Sequence, residues 1–95
     1  MIKQDKTILI TGATKNTGLA IARRFAADGW NVAITSRDAA AAEAAAKDID
    51  GDVLGLGMDP AKVEDIRAAF AAVRERFGRL DAFVNNAAHL RRFRN

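Results

Sequence analysis

Short apolar runs and helical stripes alternate along this chain. Thr7-Ile8-Leu9-Ile10 is an apolar, β-branched run closed by Thr11-Gly12, which predicts a buried strand. From Thr17 to Asp28 the residues Leu19, Ala22, Phe25 and Ala26 recur at helical spacing, and Gly29 supplies a stop. Asn31 to Thr35, with Val32 and Ile34, reads as a second strand. Ala39 to Asp48 is nearly all alanine, the best helix former, and Glu43 and Lys47 at i,i+4 suit an exposed face. Val53 to Met58 is a third strand, weakened by Gly55 and Gly57. Asp59-Pro60 combines an N-cap with proline at a first helical position. Val63, Ile66, Phe70, Val73 and Phe77 then form one apolar stripe among Lys62, Asp65, Arg67 and Arg74. Gly78 ends that helix, and Leu80 to Asn85 is a fourth strand.

Four strands alternating with three helices predict an α/β protein with a parallel sheet and helices on its faces. Right-handed crossovers make the βαβαβαβ chain half of a doubly wound, Rossmann-type fold with strand order 3-2-1-4. Ligands bind such sheets at the carboxyl ends of the strands. The polar and glycine-rich segments fall there: Thr11 to Gly18, Ser36 to Asp38, Asp59, and Asn85 to Ala88.

Composition narrows the chemistry. At 95 residues the chain buries about 60–65% of its unfolded surface, enough for one modest core. It has no Cys and no Tyr, a single Ser (Ser36) and a single His (His89). Disulfides, thiolate metal sites and thiol nucleophiles are excluded, and a reducing, cytoplasmic setting is expected. The net charge of +3 comes from Arg91, Arg92 and Arg94; without them, 12 cations face 12 acids. A basic tail on a neutral body is not the footprint of a nucleic-acid binder. No apolar run reaches the roughly 20 residues of a membrane span. Residues 1–88 therefore read as a partial dinucleotide-binding domain, and residues 89–95 as a basic C-terminal tail.

The loop Thr11-Gly12-Ala13-Thr14-Lys15-Asn16-Thr17-Gly18 joins a strand to a helix. Gly12 suits the tight turn, and Gly18 suits close packing of helix on strand. The helix N-terminus offers free N–H groups and a partial positive charge to a diphosphate. A structural reading, in which the loop only caps a helix, competes with this.

The same loop resembles the Thr-Gly-x-x-x-Gly-x-Gly fingerprint of the short-chain dehydrogenase/reductase family. Asp59 after strand 3 and Asn85-Asn86-Ala87-Ala88 after strand 4 resemble that family's adenine-contacting Asp and its Asn-Asn-Ala-Gly motif. Together the three motifs span nearly all of residues 6–89. Asn16 stands where the family has its middle Gly; Asn tolerates positive φ better than other residues. Ala88 replaces the last Gly of the second motif and places a methyl where cofactor or backbone comes close.

The resemblance implies a nicotinamide dinucleotide cofactor and a role for each matching residue. The loop Gly12, Thr14 and Lys15 and the amides of Asn16, Thr17, Gly18 and Leu19 would face the diphosphate, with Thr11 and Asn85 steadying the loops. Asp59 would accept from the adenine amino group beside Pro60, and Asn86, Ala87 and Ala88 would line the adenosine ribose. An acid at the end of strand 2 favours NAD, and an Arg favours NADP. Here Ser36 stands at the acid's place, followed by Arg37, with Lys15 across the loop. Asp38 is the competing acceptor, or else a cap on the alanine-rich helix. Two cations against one displaced acid favour NADP over NAD.

The family's catalytic Ser, Tyr and Lys lie beyond the second motif, so the resemblance assigns no catalytic residue here. The expected function is the NADP-binding portion of an oxidoreductase, inactive alone. The alternative is a non-catalytic nucleotide-binding or dimerising fragment. Strand 4 lacks a fifth strand, and its open edge, with Leu80, Phe83 and Val84, predicts a homo-oligomer or a complementing chain.

Overall fold

A computed structural model describes residues 5–86. Their elements follow in the order β1 (Thr7–Thr11), α1 (Asn16–Ala27), β2 (Asn31–Ser36), α2 (Ala39–Lys47), β3 (Val53–Gly57), α3 (Val63–Phe77) and β4 (Ala82–Asn85). All strand pairs are parallel, and the sheet order is β3-β2-β1-β4. The expected half of a doubly wound fold is therefore present.

Strand alternation divides the core into two layers. Ile8, Ile10, Val32 and Ile34 point to one face, where they meet Ala22, Ala26 and Ala46 of α1 and α2. Leu9 and Ala33 point to the other, where Val73, Phe70 and Phe77 of α3 cover them. Each fully buried Ile or Leu contributes about 1.5–3 kcal/mol by leaving water. The central strands β1 and β2 supply most of these side chains.

Two features depart from the sequence pattern. Helix α3 starts at Val63, so Asp59 is not its N-cap and Pro60 is not its first residue. Asp59 instead closes a turn: its Oδ1 accepts from the Ala61 N–H at 2.9 Å, and its carbonyl accepts from the Lys62 N–H at 3.0 Å. That turn delays the helix start from Pro60 to Val63. Val63, placed in the stripe by its spacing, is 59% exposed. The buried stripe begins at Ile66.

The second departure is at the start of β4. Leu80 lies before the strand and packs with Leu9 and Val73. Asp81 is held by β1 from both sides. Its N–H donates to the Thr7 carbonyl, and its Oδ2 accepts from the Thr7 N–H at 2.8 Å. Arg79 donates to the same carboxylate at 2.7 Å, and these donors hold it below the ordinary carboxylate range. Beyond this clamp, β4 pairs with β1 on one side, and Phe83 is 47% exposed.

Helix α2 sits unusually near the sheet. A Cβ at Gly55 would collide with the Ala42 carbonyl, and one at Gly57 would come 2.8 Å from the Ala39 methyl. The two glycines that weaken the strand pattern thus let a helix of small residues settle on β3. Ala42 and Ala46 are buried, while Glu43 and Lys47 face outward and form no ion pair with a described residue.

Candidate functional site

The carboxyl ends of the four strands converge on the loop after β1. Gly12 turns with φ 63°, which a side chain would strain. Its N–H reaches the Thr35 hydroxyl at 3.3 Å, and the Ala13 N–H donates to the Thr35 carbonyl at 3.1 Å. The loop is thereby tied to the end of β2.

From the other side, Asn86 fixes the same loop. Its Nδ2 donates to the Gly12 carbonyl at 3.1 Å. The Thr11 hydroxyl donates to Asn85 Oδ1 at 2.9 Å, joining the ends of β1 and β4. Gly18 lies beneath this knot. A Cβ there would stand 2.8 Å from the Gly12 carbonyl and 2.5 Å from Asn86 Nδ2. The glycine is required for this approach, as its place in the motif suggested.

Asn16 begins α1 with φ 57°, and it is the non-glycine with positive φ among the described residues. Asparagine suits that region because its short polar side chain tolerates it. The N-cap, Lys15, contributes no side-chain hydrogen bond, and the first turn of α1 carries no acid. Its leading N–H groups lack a side-chain acceptor.

Beside this helix end is a cavity of about 440 Å³, lined by Gly12, Thr14, Lys15, Thr35, Ser36, Arg37, Met58 and Pro60. Lys15 and Arg37 both face it, and neither forms an ion pair with a described residue. Asp38 does not join them. Its Oδ1 caps α2, accepting from the N–H groups of Ala40 at 3.0 Å and Ala41 at 3.4 Å. Ser36 Oγ accepts from the Asp38 N–H at 3.2 Å, which orders the turn.

Of the residues singled out in the sequence, Gly12, Thr14, Lys15, Ser36, Arg37 and Pro60 share the cavity. Asn16, Thr17, Gly18 and Leu19 lie along the first turn of α1 and do not line it. Asp59 sits at its margin, between the lining residues Met58 and Pro60. Asn85 and Asn86 brace the loops. Ala87, Ala88 and the basic tail fall outside the described residues.

Thr35 and Met58 line the cavity and were not singled out. Thr35 is the last buried residue of β2 and carries a hydroxyl, which was its available signal. Met58 had none, since it reads as the end of an apolar run. Among the described residues no cluster of three metal-ligating side chains occurs, and no helix is long and apolar enough to cross a membrane.

Comparison with known proteins agrees with this geometry. The 3-oxoacyl-(acyl-carrier-protein) reductase of Bos taurus is 38% identical over 83 residues, covering 87% of this chain and 35% of that protein. The solved 3-ketoacyl-(acyl-carrier-protein) reductase from Brucella melitensis, complexed with NADH, superposes with a TM-score of 0.78 at 40% identity, over 82% of this chain and 32% of that one. An actinorhodin polyketide ketoreductase with NADPH gives a TM-score of 0.86 at 33% identity, over 93% of this chain and 36% of that one. The chain spans about a third of the length of the curated relatives it matches. The family profile described as short chain dehydrogenase matches residues 6–95. With nearly every residue inside that match, the chain belongs to the short-chain dehydrogenase family of oxidoreductases.

Proposed function

We propose that this chain is the part of an NADP-dependent short-chain dehydrogenase that grips the adenosine and diphosphate half of the cofactor. The observation that carries the reading is the pairing of an uncapped helix N-terminus with a cavity bearing Lys15 and Arg37. The amides of Asn16, Thr17 and Gly18 would hold the diphosphate, and Gly12 and Thr14 would shape the turn beneath it. The Leu19 amide already donates to the Lys15 carbonyl at 3.4 Å. Lys15 and Arg37, with Ser36 between loop and ribose, would pair with a 2′-phosphate. Asp59 would meet the base, and Asn86, Ala87 and Ala88 the ribose side. Relatives crystallised with NADH and with NADPH support a nicotinamide dinucleotide without choosing between the two. The position of Asp38 favours NADP: its Oδ1 caps α2, and it does not line the cavity that Lys15 and Arg37 share.

The bound cofactor would supply hydride chemistry; this chain would supply its anchorage. The sequence contains no Tyr to protonate a carbonyl oxygen, a contribution of about 10²–10⁴ in rate. Binding without turnover is the expected behaviour of these 95 residues by themselves. Among the described residues β4 pairs with β1 alone, and its other edge is the place where a second copy or a complementing chain would extend the sheet.

Calorimetry with 2′,5′-ADP and 5′-AMP tests the reading. A charge-assisted contact is worth about 1.5–3 kcal/mol, so 2′,5′-ADP should bind about tenfold tighter or more, and Arg37→Ala should remove most of that margin. Equal affinities would move the choice to NAD and Asp38.

A further inference from the structure

We infer that the turn between α2 and β3 is a site of spontaneous backbone isomerisation, at which Asp50 becomes an isoaspartate. The sequence Asp-Gly occurs twice in the chain, at Asp28-Gly29 and at Asp50-Gly51. In such a pair the glycine amide nitrogen attacks the carbon of the preceding carboxylic acid. An N–C bond forms, the amide proton and the carboxyl hydroxyl leave as water, and a five-membered succinimide closes. Water then opens the ring at either carbonyl. One opening restores aspartate; the other leaves the chain running through the side-chain methylene. No oxidant, reductant or other reactant is needed.

The fold treats the two pairs differently. Gly29 is buried, and its N–H donates to the Ala26 carbonyl at 3.0 Å. Asp28 Oδ2 accepts from Arg24 Nε at 3.1 Å. Nucleophile and carboxylate are both held at the end of α1. Asp50 and Gly51 are exposed, and neither the Gly51 N–H nor the Asp50 carboxylate has a partner among the described residues. Their anchors lie on either side. The Ile49 N–H donates to the Ala46 carbonyl at 3.2 Å, and the Asp52 carbonyl accepts from the Val32 N–H at 2.9 Å. Gly51 stands at φ 122°, which residues with side chains rarely adopt. The turn thus requires the bare residue that leaves Asp50 open to attack.

The product strains the fold. An isoaspartate adds one carbon to the main chain just before Val53, whose pairing with Val32 begins the β2–β3 register. Helix α2 lies against Gly55 so closely that a Cβ there would meet the Ala42 carbonyl, and it leaves no slack for β3 to shift towards it.

The experiment ages the intact chain at neutral pH, folded and in guanidinium chloride, and then cuts it with trypsin. Residues 25–37 and 48–62 fall in separate peptides, and electron-transfer fragmentation locates isoaspartate in each. In guanidinium the two pairs should isomerise at similar rates. In the folded chain Asp50 should stay close to that rate, while Asp28 slows about tenfold or more, because its glycine amide must first leave a buried hydrogen bond. Asp50→Glu should remove the signal from residues 48–62, since glutamate would have to close a larger ring. Equal rates at the two pairs in the folded chain overturn the inference, as does isoaspartate in residues 48–62 that survives Asp50→Glu.

Discussion

Three helices begin at the same end of this sheet, and their first turns are finished in different ways. Helix α2 is capped by Asp38, whose carboxylate accepts from two of its leading N–H groups. Helix α3 carries Glu64 and Asp65 in its first turn. Helix α1 has neither a side-chain cap nor an acid, and a lysine holds the capping position. A helix start leaves four N–H groups without partners and carries about half a positive charge. Omitting a cap forgoes about 1 kcal/mol. Helix α2 recovers that stability with its cap; α3, whose N-cap Lys62 also makes no side-chain hydrogen bond, has the two acids of its first turn; α1 has neither and begins beside two cations. On the proposed reading, this difference leaves the start of α1 open to the diphosphate of the cofactor.

The comparison can be broken most severely by closing the space under the loop. Gly18→Val should lower stability by about 3 kcal/mol, since the added Cβ meets the Gly12 backbone as well as a side chain. Urea unfolding followed by Trp30 fluorescence measures it. Near wild-type stability would mean that the β1–α1 knot is looser than its geometry.

Converting α1 to the pattern of its neighbours is the more selective change. Lys15→Asp supplies the missing cap and removes a cation from the cavity. Affinity for 2′,5′-ADP should fall about tenfold or more, while stability rises by about 0.5 kcal/mol. A fall in both would show that α1 gains nothing from a cap. The converse change, Asp38→Ala, opens α2. Its expected effect is smaller, about 1 kcal/mol of stability, with 2′,5′-ADP binding unchanged. Weaker binding at constant stability would instead make Asp38 a ligand acceptor.

A second contrast separates the two ends of β1 and β4. At the amino end, Asp81, Thr7 and Arg79 satisfy one another, and Asn31 donates to the Thr7 hydroxyl at 3.2 Å. That end is closed by its own residues. At the carboxyl end, Thr11, Asn85 and Asn86 use their side chains to brace a loop whose helix amides stay available. Polar groups near the amino end tie strands together, and those near the carboxyl end hold the loop that the proposed function assigns to the cofactor.

The sequence alone determined the element order, the parallel sheet and the strand order. Periodicity and β-branched runs act locally, and right-handed crossovers leave few ways to connect them. It also determined the roles of Gly12, Asn16 and Gly18, because a turn, a positive φ and a close approach restrict residue type at single positions. Tertiary structure decided what depends on partners distant along the chain. Asp38 could have been a ribose acceptor or a cap, and the path of α2 made it a cap. Asp59 looked like the start of a helix until its own turn delayed α3, and the carboxylate of Asp65 took its amide. Gly55 weakened a strand pattern, yet its bareness matters only because α2 lies against it. Local preference names what each residue can do; packing between elements chooses among those options, since only contacts across the fold make one of them lower in free energy.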